Sequence, residues 1–219
     1  MQFCTLDLSI KVDNFKELTT LFKILIAPLT QGIRREVANL INPGARVLDI
    51  ACGTGALAFE LAQKAEQVIG IDLDERKIRD ASKTADKLLL KNVQFLSADA
   101  THLISLFPVP FDYSILSLAL HQFPEPLRKH ILEQARQISR KLILADYTVP
   151  RPKSAAGYLS LAIEKLAGGE HYAAYKTYLK AGGLPGILKD LDLAADQAIT
   201  ISSGVFTVIE CQGQWTQKA

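Results

Sequence analysis

VLDIACGTG, residues 47–55, is the stretch on which the rest of the chain is read. A short β-rich apolar run ends in a loop holding Gly53 and Gly55, and ALAFELAQKA (56–65) follows with helical character. A strand, a glycine loop and a helix form the nucleotide-binding unit of α/β proteins, where backbone N–H groups and a helix N-terminus receive phosphate. Asp49 does not suit that ligand, because a carboxylate at the strand end repels phosphate and attracts a cation. The segment Gly53-Thr54-Gly55-Ala56-Leu57-Ala58 also fits a dinucleotide pattern, G-x-G-x-x-A, but a lone glycine pattern is weak. No Lys-Ser or Lys-Thr follows the glycines, so a Walker loop is excluded.

Outward from this stretch the chain alternates. QVIGIDL (67–73), VQFLSAD (93–99), FDYSILSLAL (111–120) and KLILADYTV (141–149) read as further strands after ARVLDI (45–50). Between them lie helical segments, one with Ile78, Ala81, Ala85 and Leu88 on a single face, another with Leu127, Ile131, Ala135 and Ile138. Strands that are apolar throughout and separated by helices predict a parallel sheet covered on both faces, a doubly wound α/β fold. QAITISS, Gly204 and VFTVIECQ predict an antiparallel hairpin at the end of the chain.

Two segments stand outside the alternation. Residues 1–43 predict an N-terminal helical segment, with Leu18, Leu21, Leu25, Leu29, Ile33, Val37 and Leu40 at helical spacing and Pro28 dividing it in two. Residues 44–219 form the main domain, with a helical insertion at about 150–195. The insertion holds two helices, SAAGYLSLAIEKLAG and HYAAYKTYLKAGG, the second closed by Gly182–Gly183. Both apolar segments suit a lid over the ligand; completion of the core or a homodimer contact are the alternatives.

Composition narrows the class. Of 219 residues, 25 are basic and 23 acidic, for a net charge of +2, which argues against a polyanion-binding face. Arg34–Arg35, Arg128–Lys129, Arg140–Lys141 and Arg151 to Lys153 are scattered pairs that read as solvated surface. Cys4, Cys52 and Cys211 are odd in number and unpatterned, and Cys52 reads as a small filler. No signal peptide or bilayer-length apolar run is visible, so a cytoplasmic location is expected.

Three acids end three consecutive strands. Asp72 lies 19 residues after Gly53, where a carboxylate accepts from a ribose diol. Asp99 closes the third strand, and with the Ala100 N–H it can read an adenine edge. The alternatives are a turn cap for Asp49, a helix N-cap for Asp72 (a role that suits Asp74 better) and a turn residue for Asp99. An ammonium, a ribose and an adenine with no phosphate describe S-adenosylmethionine.

VLDIACGTG, the acid after VIGI, the SADA step and FDYSILSLALHQF, in that order, resemble the class I Rossmann-like S-adenosylmethionine-dependent methyltransferases. The ALHQF pattern is similar to the small-molecule, ubiquinone/menaquinone-biosynthesis-like group. That resemblance implies a mostly parallel seven-stranded sheet with an antiparallel C-terminal strand. It also implies S-adenosylmethionine as cofactor, S-adenosylhomocysteine as product, no metal, no nucleic acid and no membrane span. Asp49, Ala51, Gly53, Thr54 and Gly55 would hold the methionine half, Asp72 the ribose, Leu73, Asp99 and Ala100 the adenine. Ser117 would lie near the carboxypropyl group. His121, just after the fourth strand, is the expected base if the acceptor carries a proton, with a structural histidine as the alternative. Asp146, Tyr147 and Tyr172 are expected to line the acceptor pocket; His102, His130 and His171 are weaker candidates. An Asn/Asp-Pro-Pro-aromatic motif and a catalytic cysteine for base methylation are both missing where they would be expected. The acceptor is expected to be a small, apolar or aromatic molecule. A non-catalytic cofactor-binding protein or a nicotinamide-linked oxidoreductase are the rival readings.

Overall fold

The computed structural model describes residues 30–215. The predicted helix at Leu18–Leu29, its division at Pro28 and Cys4 lie outside these residues. Helix α1 (30–40) is the described part of the N-terminal segment, and it buries Ile33 and Val37 as expected. The order then runs β1 (Arg46–Ile50), α2 (Ala56–Leu61), β2 (Gln67–Asp72), α3 (Glu75–Lys87), β3 (Val93–Ser97), α4 (Leu103–Leu106) and β4 (Phe111–Ser117). It continues with α5 (Glu125–Gln137), β5 (Ser139–Tyr147), α6 (Ala155–Ala167), α7 (Gly169–Lys180), α8 (Gly183–Asp190), β6 (Ala195–Ile201) and β7 (Phe206–Gln212).

The strands form one seven-stranded sheet in the order β3-β2-β1-β4-β5-β7-β6. β1 pairs in parallel with β2 and β4, β2 with β3, and β4 with β5. β7 runs antiparallel to both β5 and β6. The doubly wound sheet with its antiparallel hairpin strand is therefore as predicted. Its order reverses between β1 and β4. At such a switch point the two loops at the carboxyl ends diverge and leave a crevice, which places the ligand site beside residues 51–55 and 118–122.

The central strands are buried on both faces because helices cover both. Val47, Leu48, Ile50, Ile115, Leu116 and Leu142–Ala145 are almost fully withdrawn from water. Ile78, Ala81 and Ala85 form the buried face of α3, whereas Leu88 is exposed and caps the helix end, so the predicted stripe is one residue shorter. Asp74 is the N-cap of α3, its Oδ1 accepting from Arg76 N at 2.9 Å.

Two expectations are corrected, one about the surface and one about the insertion. Arg128 is 1% exposed. Its Nε donates to Leu120 O at 2.9 Å and its Nη2 to Phe123 O at 2.9 Å. It thus replaces solvent with carbonyls of the turn after β4, while Lys129, its sequence neighbour, does face outward and pairs with Glu125 at 3.0 Å. The insertion contains a third helix, α8, that was not expected, because Gly182, Gly183 and Pro185 read as a terminator. Gly182 at φ +86° does end α7, and Pro185 then sits in the first turn of α8, where its missing N–H costs nothing.

Candidate cofactor site

The glycine loop is built by extending the sheet by one bond. Cys52 N donates to Ile71 O at 2.9 Å, so the chain stays beside β2 before it turns. Gly53 N then donates to Asp72 Oδ2 at 2.9 Å, and Asp74 N donates to Asp72 Oδ1 at 2.9 Å. Asp72 thereby clamps the loop to the start of α3, and its remaining lone pairs face the cleft. Ala51, Gly53 and Gly55 all have positive φ, at 57°, 58° and 80°.

Gly55 is required twice over. A Cβ there would stand 2.5 Å from Phe95 Cζ, and φ +80° disfavours any side chain. Phe95 also packs under Gly70, where a Cβ would lie 2.6 Å from its ring. Phe95 is the floor of the loop, and it arrives from β3, a position that sequence spacing did not mark. Gly55→Ala is expected to lower stability by about 1–3 kcal/mol in urea unfolding, from strain and overpacking. Adding Phe95→Leu should recover part of that loss, since it removes the clash and leaves the strain.

The cleft has two lobes divided by this loop. One, a cavity of about 390 Å³, is lined by Ile71, Asp72, Leu73, Ala98, Asp99, Ala100, Leu118, Ala119, Gln122 and Phe123. The other is lined by Asp49, Thr54, Ser117, Thr30 and Arg34, and both lobes share Ala51, Gly53 and Leu118. The expected methionine-half residues Asp49, Thr54 and Ser117 therefore meet in one lobe, and the expected ribose and adenine residues in the other.

Asp49 is the electrostatic anomaly. It is 2% exposed, and its Oδ2 is buried with no hydrogen-bond partner among the described residues. Burial pushes its carboxyl up to about 7, and the nearby Asp72 charge adds to the rise. A buried oxygen left without a donor costs free energy unless a ligand supplies the donor. Asp99 behaves differently. It lies at the surface and caps the turn at Ala100–His102, its Oδ1 accepting from Thr101 N at 2.8 Å, and that bond holds its carboxyl below the usual range. Leu73 is 71% exposed on the lip of the cavity, an apolar face open for a ring to cover.

His121 is placed elsewhere. It is 3% exposed and lines neither lobe, although Ala119 and Gln122 on the same turn do. Its Nδ1 lies 2.6 Å from Asp146 Oδ1, its backbone N donates to Asp146 Oδ2 at 3.1 Å, and its Nε2 is 3.7 Å from Glu164 Oε1. Burial opposes charge on this imidazole, but the Asp146 and Glu164 carboxylates outweigh it and the pKa rises. Tyr147 donates its hydroxyl to Glu164 Oε1 at 2.9 Å, and His171 Nε2 lies 2.5 Å from Glu164 Oε2. Tyr172 stacks on Tyr175 with ring centroids 6.2 Å apart. Asp146 and Tyr147 come together with His121 in a packed polar cluster away from both lobes, whereas Tyr172 is half-buried and meets that cluster only through Tyr175. Glu164 and His171 were not singled out as a pair, because they sit seven residues apart on different helices, joined by the sharp Gly168–Gly169 turn. His102 and His130 are exposed, bonded to Thr101 Oγ1 and Thr101 O respectively.

Comparison with known proteins accords with this geometry. Residues 41–149, about half of the chain, match a family model described as a methyltransferase domain. A ubiquinone biosynthesis O-methyltransferase of Albidiferax ferrireducens is 33% identical over 96 residues, 43% of this chain and 38% of that protein. A tRNA (uracil-5-)-methyltransferase homolog B of Danio rerio is 38% identical over 72 residues, 32% of this chain and 15% of that protein. The chain thus spans less than half the length of these curated relatives. A SAM-dependent methyltransferase of Aquifex aeolicus shares the fold with TM-score 0.62 at 19% identity, covering 89% of this chain and 98% of that one. The magnesium protoporphyrin IX methyltransferase of Synechocystis, solved with bound SAH, shares it with TM-score 0.56 at 19% identity, covering 97% and 90%. Through its domain at residues 41–149 and its sheet order, the chain belongs to the class I, Rossmann-like S-adenosylmethionine-dependent methyltransferases.

Proposed function

We propose that the chain binds S-adenosylmethionine across the two lobes and transfers its methyl group to a small, apolar or aromatic acceptor. The observation that carries this reading is Asp49 Oδ2, a buried carboxylate oxygen lacking a donor at the mouth of the glycine loop. An α-ammonium supplies that donor and the compensating charge, and a pyrophosphate supplies neither. Ser117 lines the same lobe and suits the carboxypropyl group, and Arg34, paired with Glu60 at 3.2 Å, lines it too. In the other lobe Asp72 accepts from the ribose hydroxyls, Leu73 packs on the adenine, and Ala100 N–H with Asp99 reads its edge.

In the reaction an acceptor lone pair attacks the methyl carbon in line with the breaking C–S bond. The sulfonium leaves as the neutral sulfide of S-adenosylhomocysteine, and any acceptor proton departs separately. The chain's contribution is alignment and exclusion of water. His121 touches neither lobe, so this reading gives it no contact with the acceptor. The near-neutral overall charge favours a small acceptor over a polynucleotide, and the apolar walls at Leu118, Ala119 and Phe123, beside the ribose and adenine residues, suit the cofactor's base.

The test uses labelled S-adenosylmethionine with a pool of small quinols and phenols, and with bulk RNA as a parallel arm. The expected result is label in the small-molecule fraction. Label in RNA alone would replace the acceptor assignment, and binding without transfer in either arm would favour a non-catalytic cofactor-binding role. S-adenosylhomocysteine should raise the melting temperature and NAD should not.

A further inference from the structure

Away from both lobes, three side chains from three elements converge on one point. His121 comes from the turn after β4, Glu164 from the last turns of α6, and His171 from the first turn of α7. One ligand atom from each lies within 4.8 Å of the others. We propose that His121 Nε2, His171 Nε2 and a Glu164 carboxylate oxygen form a divalent transition-metal site, with zinc the ion best matched. This goes beyond the methyl-transfer reading and does not rest on it.

His171 Nε2 and the Tyr147 hydroxyl already hydrogen-bond Glu164, at 2.5 Å and 2.9 Å, and an ion bound here would displace the His171 bond. Asp146 Oδ1 at 2.6 Å fixes His121 Nδ1 as the donor nitrogen and leaves Nε2 turned toward Glu164. That is the arrangement by which a carboxylate behind a histidine orients and strengthens it as a ligand. At 3.7 Å the Nε2 to Oε1 separation is too long for a hydrogen bond, yet it suits two ligands of one ion before they close on it. Tyr147 O–H on Glu164 Oε1 steadies the carboxylate from the other side. Asp146 and Glu164 lie in a region 0% and 3% exposed, where buried Arg128 supplies part of the compensating charge and a divalent cation would supply the rest.

A second feature points to the same place. Tyr175 is fully buried with its ring 6.2 Å from that of His121, and its hydroxyl has no partner among the described residues. A metal-bound water in the fourth position, a strong donor, would give that hydroxyl a partner. His171 is the most exposed of the three ligands, at 30% of its side chain, and gives the ion its way in. Two imidazoles and one carboxylate suit zinc and its first-row neighbours and do not suit calcium or magnesium, which prefer oxygen.

The test is metal uptake by the full chain, stripped with a chelator and titrated with zinc, and with cobalt as a spectroscopic probe. The expected result is one equivalent per chain with a Kd below about 1 micromolar. Cobalt should show visible bands of tetrahedral strength, and saturating zinc should raise the melting temperature by about 5–10 °C. His171→Ala and Glu164→Gln should each weaken zinc binding by about 100-fold or more. His171 is partly exposed, so its variant keeps the fold if removal of Glu164's charge does not. No stoichiometric uptake by the wild-type chain, or equal uptake by wild type and a folded His171→Ala, would overturn the site. Either failure leaves S-adenosylhomocysteine binding untouched, which separates it from the cofactor assignment.

Discussion

Asp49→Ala is expected to weaken S-adenosylhomocysteine binding by about 100-fold or more while making the unliganded chain more stable, because the two effects come from one unpartnered oxygen. Asp49 Oδ2 is buried with no donor among the described residues, and burial raises its carboxyl from 3.8 to about 7. The sign follows from proton counting. Between pH 4 and 7 the folded chain holds this proton more firmly than the unfolded one, so stability falls as pH rises through that window and levels off above it. That rise corresponds to about 4 kcal/mol, and Asp49→Asn should remove most of the slope. Denaturant unfolding of the empty chain at pH 5 and pH 8 measures it. The bound ammonium reverses the balance by stabilising the carboxylate. Affinity should therefore drop by about tenfold from pH 8 to pH 6, with a proton released on binding in the acidic range.

Asp72→Ala should lose affinity to a comparable degree but with the opposite effect on stability. Both carboxylate oxygens already accept backbone N–H groups, from Gly53 and from Asp74, at 2.9 Å each. Removing them frees the glycine loop from the start of α3, at a cost of about 2 kcal/mol in urea unfolding. The loop then loses the φ values that open it to a ligand, so cofactor affinity falls through disorder as well as through the missing ribose contact. Two acids at the ends of neighbouring strands, β1 and β2, are thus separated by experiment: one strains the empty fold, the other holds it together. If both variants destabilised the empty chain alike, Asp49 would not be the orphan described here.

The sequence was most legible where one periodicity served one purpose. The strands of the parallel sheet are apolar on both faces, so β1, β2 and β4 stood out within a residue or two at their starts. Asp49, Asp72 and Asp99 could be placed on one rim because strand ends in such a sheet share a rim. What lay hidden was contact across helices. Arg128 looks like half of a solvated Arg-Lys pair, and only the carbonyls of Leu120 and Phe123 reveal why it is buried. Phe95 lies on an edge strand with three exposed positions of five, and its task under Gly55 and Gly70 is a matter of tertiary approach. His121 shows the same limit most clearly. Its place after β4 puts it on the turn whose Ala119 and Gln122 line the cleft, but whether its own ring faces that cleft depends on Asp146, 25 residues away. Glu164 in an apolar helix was a signal that went unused, since a charge on such a stripe asks for a buried partner.

The proposed function stands on Asp49 as the partner of the ammonium of a phosphate-free adenosine ligand. Calorimetric titration of the wild-type chain and Asp49→Ala with S-adenosylhomocysteine, and with 5′-methylthioadenosine, which lacks the amino-acid part, tests it most directly. S-adenosylhomocysteine is expected to bind one-to-one with an affinity that Asp49→Ala weakens by about 100-fold, and methylthioadenosine binding should be unchanged by the substitution. Equal affinity of both chains for S-adenosylhomocysteine, or equal losses for the two ligands, would contradict that role for Asp49.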